Sequence, residues 1–494
     1  MPPALTQTGT RYATSVRDAL TSPRLLTREV LAGLVVGLAL IPEAIAFSVI
    51  AGVDPRVGRF SAFVMAVSIA FLGGRPAMIS AATGAVALVI APVMRDHGLD
   101  YLLATVILGG LIQVVVGALG VAKLMRFIPR SVMIGFVNAL AVLVAISQLE
   151  ELLASPWMAY VLAATGMVIL WLFPKVTRAI PAPLVAVVVL TIVVAVFAID
   201  VPTVGDRGAL PNSLPILMLP QVPLTLETLG IIAPYSLGMA AVGLLESLMT
   251  AKLVDDITDT RSSKTRESWG QGVANILSGM FGGMGGCAMI GQTVINLSSG
   301  GRGRLSGVVS GVMILLFILF LSPLIERIPL AALAGVMFVV AQQTFAWGSV
   351  RVLGKVPAND AVVIVAVTII TVFTDLATAV LCGILIAALA FAWQHSRDMR
   401  SDVHDNGDAR VYTPHGTLFF ASTTHFQALF DPQNDPDQVY IDCRHLHMVD
   451  HSAIAAMENL AARYGKFGKQ LQLRQLSARN QRLLERAHAA VTIA

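Results

Sequence analysis

Charge is what this 494-residue chain has least of: Asp, Glu, Lys and Arg make up 13% of it, against 56% hydrophobic residues and a mean hydropathy of +0.76. That balance excludes a soluble globular class and requires many membrane spans. Cysteine is scarce as well. Cys287, Cys382 and Cys443 are scattered, so neither a disulfide framework nor a zinc motif follows. No GxxxxGK(S/T) sequence occurs, and GGMGG at 282–286 is too short and wrongly set to hold a nucleotide. An ion gradient is therefore the expected driving force. The apolar runs contain no nucleophile–base set and no metal cluster, so the chain reads as no enzyme, with no cofactor and no metal. No cleavable leader is expected either. The first thirty residues are polar, carry Arg11, Arg17, Arg24 and Arg28, and lead straight into a span, which reads as a cytoplasmic arm. The net charge of +4 does not point to nucleic acid, because the basic residues sit in short loops between apolar runs.

What the chain does have is fourteen apolar segments, at 31–50, 57–72, 79–94, 101–120, 131–149, 157–173, 183–199, 229–253, 268–284, 289–298, 304–322, 329–348, 358–374 and 376–393. With the N-terminus inside, about twenty Lys and Arg fall on the inner side. Only Arg56, Arg59, Arg95, Arg207 and Arg327 fall outside. That asymmetry fixes the orientation, and dropping one mid-chain span would erase it. The basic GGRGR at 300–304 then marks an inner membrane edge.

Two lone glutamates interrupt these runs, at matching places in the two halves. Glu43 lies in the first segment and Glu246 in the eighth. A carboxylate at bilayer depth costs about 2.5 kcal/mol or more and normally faces a pathway or a partner. Two segments, 79–94 and 289–298, are short and glycine-flanked, and they are the third and the tenth. Short, interrupted segments at equivalent places in two halves point to a transporter's binding site.

After Arg400 the composition turns polar. VYTPHGTLFF, QVYIDC and KQLQLRQL read as strands, SAIAAMENLAARYGKFG and ARNQRLLERAHAA as helices, giving a small cytoplasmic α/β domain. The expected division is an arm at 1–30, a transport domain at 31–393 (spans 1–7 at 31–199, spans 8–14 at 229–393), a linker at 394–401 and the soluble domain at 402–494. Asp450 at the turn Asp450-His451-Ser452 is placed to cap the following helix. Cys443, His445, His447 and His451 match no zinc spacing.

Three stretches carry a family resemblance: GGCAMIGQTVINLSSGGRGRLSG at 285–307, LLESLMTAKLVDDIT at 244–258, and TLFFAS with VYIDCRHLHMVDHSAIAAMENLA in the tail. The chain resembles the SulP anion transporters (solute carrier 26) with a C-terminal STAS domain. The resemblance implies a polytopic α-helical membrane protein of fourteen spans, arranged as two inverted seven-span repeats with core and gate domains. It also implies a homodimer and an anion site among spans 1, 3, 8 and 10. It places that site in the inner membrane of a bacterium, with both termini cytoplasmic.

Spans 3 and 10 would begin near the midplane, at Thr83-Gly84-Ala85 and Gly291-Gln292-Thr293. A helix start exposes unpaired N–H groups and about +0.5 charge, so two that face each other form an anion cradle. Taken singly, SAATGA and IGQTV also suit ordinary small-residue packing; the match between the halves sets them apart. Some relatives carry a basic residue where this chain has Gln292, and no Lys or Arg is expected inside a span core here. Phe47, one turn beyond Glu43, could close over the anion or simply pack. Glu246 and Thr250 share a helix face, where sodium-coupled relatives have a cation-binding Asp and Thr. Pro42 frees a backbone carbonyl and can open span 1 locally. Asn138, Gln113 and Gln148 read as interhelical hydrogen bonders.

Two ionised glutamates would repel any anion, by about 3 kcal/mol per pair of charges ~5 Å apart at an effective dielectric near 20. A proton on one carboxyl removes that repulsion. The sequence therefore predicts proton–anion symport, with Glu43 the favoured carrier and Glu246 the second. A dicarboxylate such as fumarate is the first substrate candidate, then bicarbonate, then sulfate. The alternatives are a sodium-coupled bicarbonate or sulfate transporter, a channel-like anion conductor, and a membrane anchor for STAS signalling.

Overall fold

The computed structural model describes residues 22–120, 129–177, 181–207, 217–352, 358–374, 376–406, 409–486 and 492–493. Most of the expected N-terminal arm, and the loop residues Lys123, Arg126, Arg178 and Lys355, lie outside them. The chain divides into two compact units, Met1–Gly383 and Ile384–Ala494.

Each apolar segment contains a helix, because backbone polar groups inside a bilayer must be satisfied within the segment. The helices are α1 (Pro23–Ile50), α2 (Pro55–Leu72), α3 (Gly84–His97), α4 (Leu99–Ala118), α5 (Arg130–Leu153), α6 (Trp157–Val176) and α7 (Ala182–Val196) in the first half. In the second they are α8 (Leu226–Thr258), α9 (Lys264–Met280), α10 (Ile290–Ser298), α11 (Leu305–Ile325), α12 (Leu330–Thr344), α13 (Ala358–Phe373) and α14 (Leu376–Arg397). Pro23 and Pro55 sit at helix starts, where a missing N–H costs nothing. Residues 23–30, expected in the arm, therefore already belong to α1, which also runs on through Pro42.

Packing within the first unit has an internal twofold. α4 packs on α8 and α9; their counterparts seven spans away, α11 on α1 and α2, do the same. α3 packs on α8 as α10 packs on α1, and α12 on α6 as α5 on α13. Counterparts meet directly at α2 with α9 and at α5 with α12. Seven is odd, so the second set of spans starts from the opposite side and the repeats are inverted.

Spans 3 and 10 are each half extended and half helical. Two-residue strands, β1 (Ser80–Ala81) and β2 (Cys287–Ala288), precede α3 and α10 and pair antiparallel, Ser80 opposite Ala288 and Ala81 opposite Cys287. Gly286 is required beside them, since a Cβ there would stand 1.9 Å from the Ala81 carbonyl oxygen. One polar face of α9 splints this break. Glu267, Gln271, Asn275 and Ser278 are all fully buried along it. Gln271 Nε2 donates to Ser80 Oγ at 2.6 Å, and Asn275 Oδ1 accepts from Gly286 N at 2.8 Å while its Nδ2 donates to Gln113 Oε1 at 2.9 Å. Ser278 Oγ accepts from Gly285 N at 3.2 Å. The splint supplies the partners that a broken helix gives up inside a membrane.

The arginine-bearing segments gather at one end. Arg304 donates to the carbonyls of Ala70 and Gly73, Arg75 pairs with Asp255 at 3.1 Å, and Glu29 accepts from the backbone of Arg302, Gly303 and Ser306. One basic residue departs from expectation. Arg59 belongs to α2 and is 1% exposed, with Nε donating to Pro55 O at 3.1 Å. Its two terminal nitrogens have no hydrogen-bond partner among the described residues.

In the second unit, β3 (Arg400–Asn406) pairs antiparallel with β4 (Ala409–Leu418), and β5 (Gln438–Asp442), β7 (Gln470–Arg474) and β8 (Thr492–Ile493) follow in parallel. A short β6 (Leu446–Met448) pairs with β4, and α15 (Thr423–Ala428), α16 (His451–Gly465) and α17 (Ala478–Arg486) complete the unit. Helix α14 ends at Arg397 and β3 starts at Arg400, so secondary structure takes up most of the expected linker at 394–401. Asp450 caps α16, its Oδ1 accepting from Ala453 N at 3.0 Å, and Oδ2 accepts from Phe420 N. His445 stacks on His415 with ring centroids 4.8 Å apart.

Candidate functional site

A cavity of about 640 Å³ lies in the first unit, between the starts of α3 and α10 on one side and α5, α6 and α12 on the other. Thr83, Gly84 and Ala85 line it from α3, Gly291 and Gln292 from α10, Glu43 and Phe47 from α1, and Glu246 from α8. Both half-helix starts therefore face one space, and their first-turn N–H groups and dipoles converge there. Thr83 caps α3, its Oγ1 accepting from Val86 N, and extended residue Met289 precedes α10.

The two carboxyls are held differently. Glu43 Oε1 accepts from Gln292 Nε2 at 2.8 Å, linking α1 to α10. Glu246 Oε2 accepts from Cys287 Sγ at 2.9 Å, and that sulfur lies 3.0 Å from Thr83 Oγ1, which links α8, β2 and α3. Each half-helix thus carries a carboxyl from the other repeat: α10 belongs with Glu43 and α3 with Glu246. No Lys, Arg or His lines the cavity among the described residues. The wall from the expected gate is apolar, with Phe136, Leu140, Val144, Val336 and Val339.

Two expected site residues are placed elsewhere. Thr293 does not line the cavity. It lies two residues past Gly291, on another helix face, and its Oγ1 accepts from Ile79 N at 3.1 Å. Thr250 is also off the lining, because its hydroxyl donates to the Glu246 backbone carbonyl at 2.8 Å instead of meeting the carboxyl. Asn138 joins Ser349 and Ala346, and Gln113 joins Ala240 and Asn275, so both bond between elements. Gln148 donates to neighbouring Ser147, on its own helix. A place at the site for Cys287, noted in the sequence only as a scattered cysteine, and the polar face of α9 are additions from the structure. A stripe spaced 267, 271, 275, 278 was the available signal for the second.

From Glu43 the lining continues to Thr177, Pro181, Ser299 and Thr344, at the ends of α6, α7, α10 and α12. The arginine-rich loop at 300–304 follows directly on this end.

Inverted repeats, two converging half-helix starts and a mid-span cavity define a membrane carrier for anions. The chain belongs to the sulfate permease family: that family's model matches residues 26–156 and 154–368, and a STAS domain matches 400–493. YbaR of Bacillus subtilis (strain 168) is 47% identical over 461 residues, which is 93% of this chain and 96% of that one. The solved transmembrane domain of a cyanobacterial bicarbonate transporter, BicA, is similar at 27% identity with a TM-score of 0.65, over 74% of this chain and 98% of that one. The murine Slc26a9 anion transporter in its inward-facing state has a TM-score of 0.81 at 17% identity, over 93% of this chain and 87% of that one, a likeness of fold alone.

Proposed function

We propose that this carrier moves a small carboxylate, with fumarate the leading candidate, together with a proton. The single observation that carries the reading is the composition of the cavity wall: two carboxyls, Glu43 and Glu246, and no basic side chain among the described lining residues. Two helix starts contribute about +1 in total. With both carboxyls ionised the site would be net negative, so an anion enters when a proton neutralises one of them. Glu43 is the favoured carrier, because it borders the start of α10 directly through Gln292. The apolar gate wall suits an organic anion, whose hydrocarbon part can rest against Phe136 and Leu140.

The cavity runs from Glu43 toward the arginine-rich loops. With those loops cytoplasmic, this is the inward-open state, and transport alternates it with an outward-open one. The same reading puts the protein in a bacterial inner membrane as a homodimer, termini and the 402–494 domain in the cytoplasm.

A second reading is sodium-coupled transport of bicarbonate, which the name of BicA suggests, or of sulfate, which the family name suggests. Against sodium, Glu246 Oε2 is engaged by a thiol and the Thr250 hydroxyl points to backbone. Uptake of labelled fumarate, succinate, bicarbonate and sulfate into proteoliposomes, with and without an inward proton gradient or sodium, tests the choice. Concentrative fumarate uptake driven by the proton gradient without sodium is expected. Sodium-dependent bicarbonate uptake indifferent to the proton gradient would replace the proposal.

A further inference from the structure

We propose that Gln292 converts the protonation state of Glu43 into affinity for the anion by turning its amide end for end. This rests on the proton-coupled reading above. Gln292 stands in the first turn of α10, is 1% exposed and lines the cavity. Its Nε2 donates to Glu43 Oε1 at 2.8 Å, while its Oε1 is buried without a hydrogen-bond partner among the described residues. A carboxamide has one donor end and one acceptor end of nearly equal size. The end turned to Glu43 is the donor, which matches an ionised carboxylate, an acceptor only. That pose leaves a buried amide oxygen unpaired beside the cradle, an unfavourable arrangement, and one whose negative dipole end opposes an anion.

Protonation reverses the match. A Glu43 O–H needs an acceptor, and a half-turn about the last side-chain bond brings Gln292 Oε1 into the place of Nε2. The two N–H groups of Nε2 then face the cradle and join the backbone donors of α10. The proton binds a Glu43 carboxylate oxygen from water and leaves by the same bond, so the charge on Glu43 changes from −1 to 0 and returns. Anion affinity and proton affinity rise together, as linkage requires.

Few other charges reach Glu43. Glu246 shares the cavity, with Cys287 bonded to it. Of the helices packed on α1, α2 carries Arg56 and Arg59, and α3 carries Arg95, Asp96 and His97; none of these lines the cavity. The others, α7, α10, α11 and α12, carry no charged residue, and on α1 itself Arg24, Arg28 and Glu29 stand near its N-terminal end.

The test is the fumarate KM of the full chain in proteoliposomes, measured from mildly acid to mildly alkaline pH, for the wild type, Gln292→Met and Glu43→Gln. The wild-type KM should rise about tenfold or more with pH, and that of Gln292→Met at least about threefold less, through the direct repulsion by ionised Glu43 alone. Glu43→Gln, whose own amide is a permanent donor, should hold the acid-side KM throughout. A Gln292→Met carrier that follows the wild-type KM profile overturns the proposal. So does one that loses only maximal rate, the outcome for a residue that merely props Glu43. A wild type that ignores the proton gradient for every anion in the panel removes the proton-coupled reading, and this proposal with it. Should Gln292→Met not fold, an infrared difference spectrum of the wild type across the same pH range decides. A carboxylic band absent in Glu43→Gln should arise together with a shifted amide band identified by carbon-13 glutamine. The carboxylic band without the amide shift overturns the inference.

Discussion

Two glycines carry the same site in opposite ways. A Cβ on Gly84 would meet Phe47 Cε1 at 2.9 Å and Val144 Cγ2 at 3.3 Å, so only glycine lets the Phe47 ring lie against the start of α3. Gly84→Ala should therefore cut fumarate uptake about tenfold or more, and adding Phe47→Leu should restore part of it, a coupling read by a double-mutant cycle. A Cβ on Gly291 meets nothing within 4 Å. Gly291→Ala should leave thermal stability within about 0.5 kcal/mol of wild type, yet raise the fumarate KM about tenfold, because the methyl stands where the anion approaches the helix start. A stability loss together with an unchanged KM would show that Gly291 serves packing alone. These glycines and the two glutamates were legible in the sequence, since a charge or a break in an apolar run is a local signal. The links Cys287–Glu246 and Cys287–Thr83 were not, because their partners lie 41 and 204 positions apart.

Shortness betrayed α3 and α10 as half-spans, but the two-residue strands before them are too brief to leave a pattern. Helix α9 was read as one more apolar segment, because average composition hides a single polar face. That face does structural work at the site. Asn275→Leu takes away the acceptor of the Gly286 amide and the donor to Gln113 Oε1, so it should cost about 2–4 kcal/mol and lower the melting temperature in detergent. An unchanged melting temperature would show that α9 is dispensable as a splint. In the second unit the alternating strands and the capped helix α16 were readable, whereas β3, which begins inside the expected linker, left no strand signal because its residues are polar. A buried Asp435 joins β4 to α16, accepting from Arg410 and Tyr412 of the strand and from Tyr464 of the helix. Burial first, and then the Asp435 carboxylate, hold both phenols above the ordinary tyrosine value of 10.0. A raised folded value contributes stability that is full below the unfolded value and is lost as pH rises beyond it. Urea unfolding of the full chain, followed by near-ultraviolet circular dichroism, should show this unit weakening above about pH 10, and less steeply in Tyr464→Phe. Equal slopes would separate the tyrosine from the effect.

At the scale of the whole chain, loop charge supported the count of fourteen spans, and the matched glutamates with the family resemblance pointed to the inverted repeats. The contacts between them, α4 against α8 and α9 and α11 against α1 and α2, come from packing between distant segments and had no sequence signal. The cavity lies wholly within the first unit. Deleting 402–494 should therefore leave the fumarate KM within about twofold of wild type and proton-driven uptake intact, whereas a membrane anchor for signalling would show no uptake to lose. Central to everything above is an anion held between two half-helix starts. A structure of the full chain solved at saturating bromofumarate, with the bromine located by its anomalous signal, tests this most directly. The account predicts the carboxylate against the backbone of Gly84–Ala85 and Gly291–Gln292, with the bromine toward Phe136 and Leu140. Bromine bound elsewhere, with the two helix starts unliganded, would contradict it.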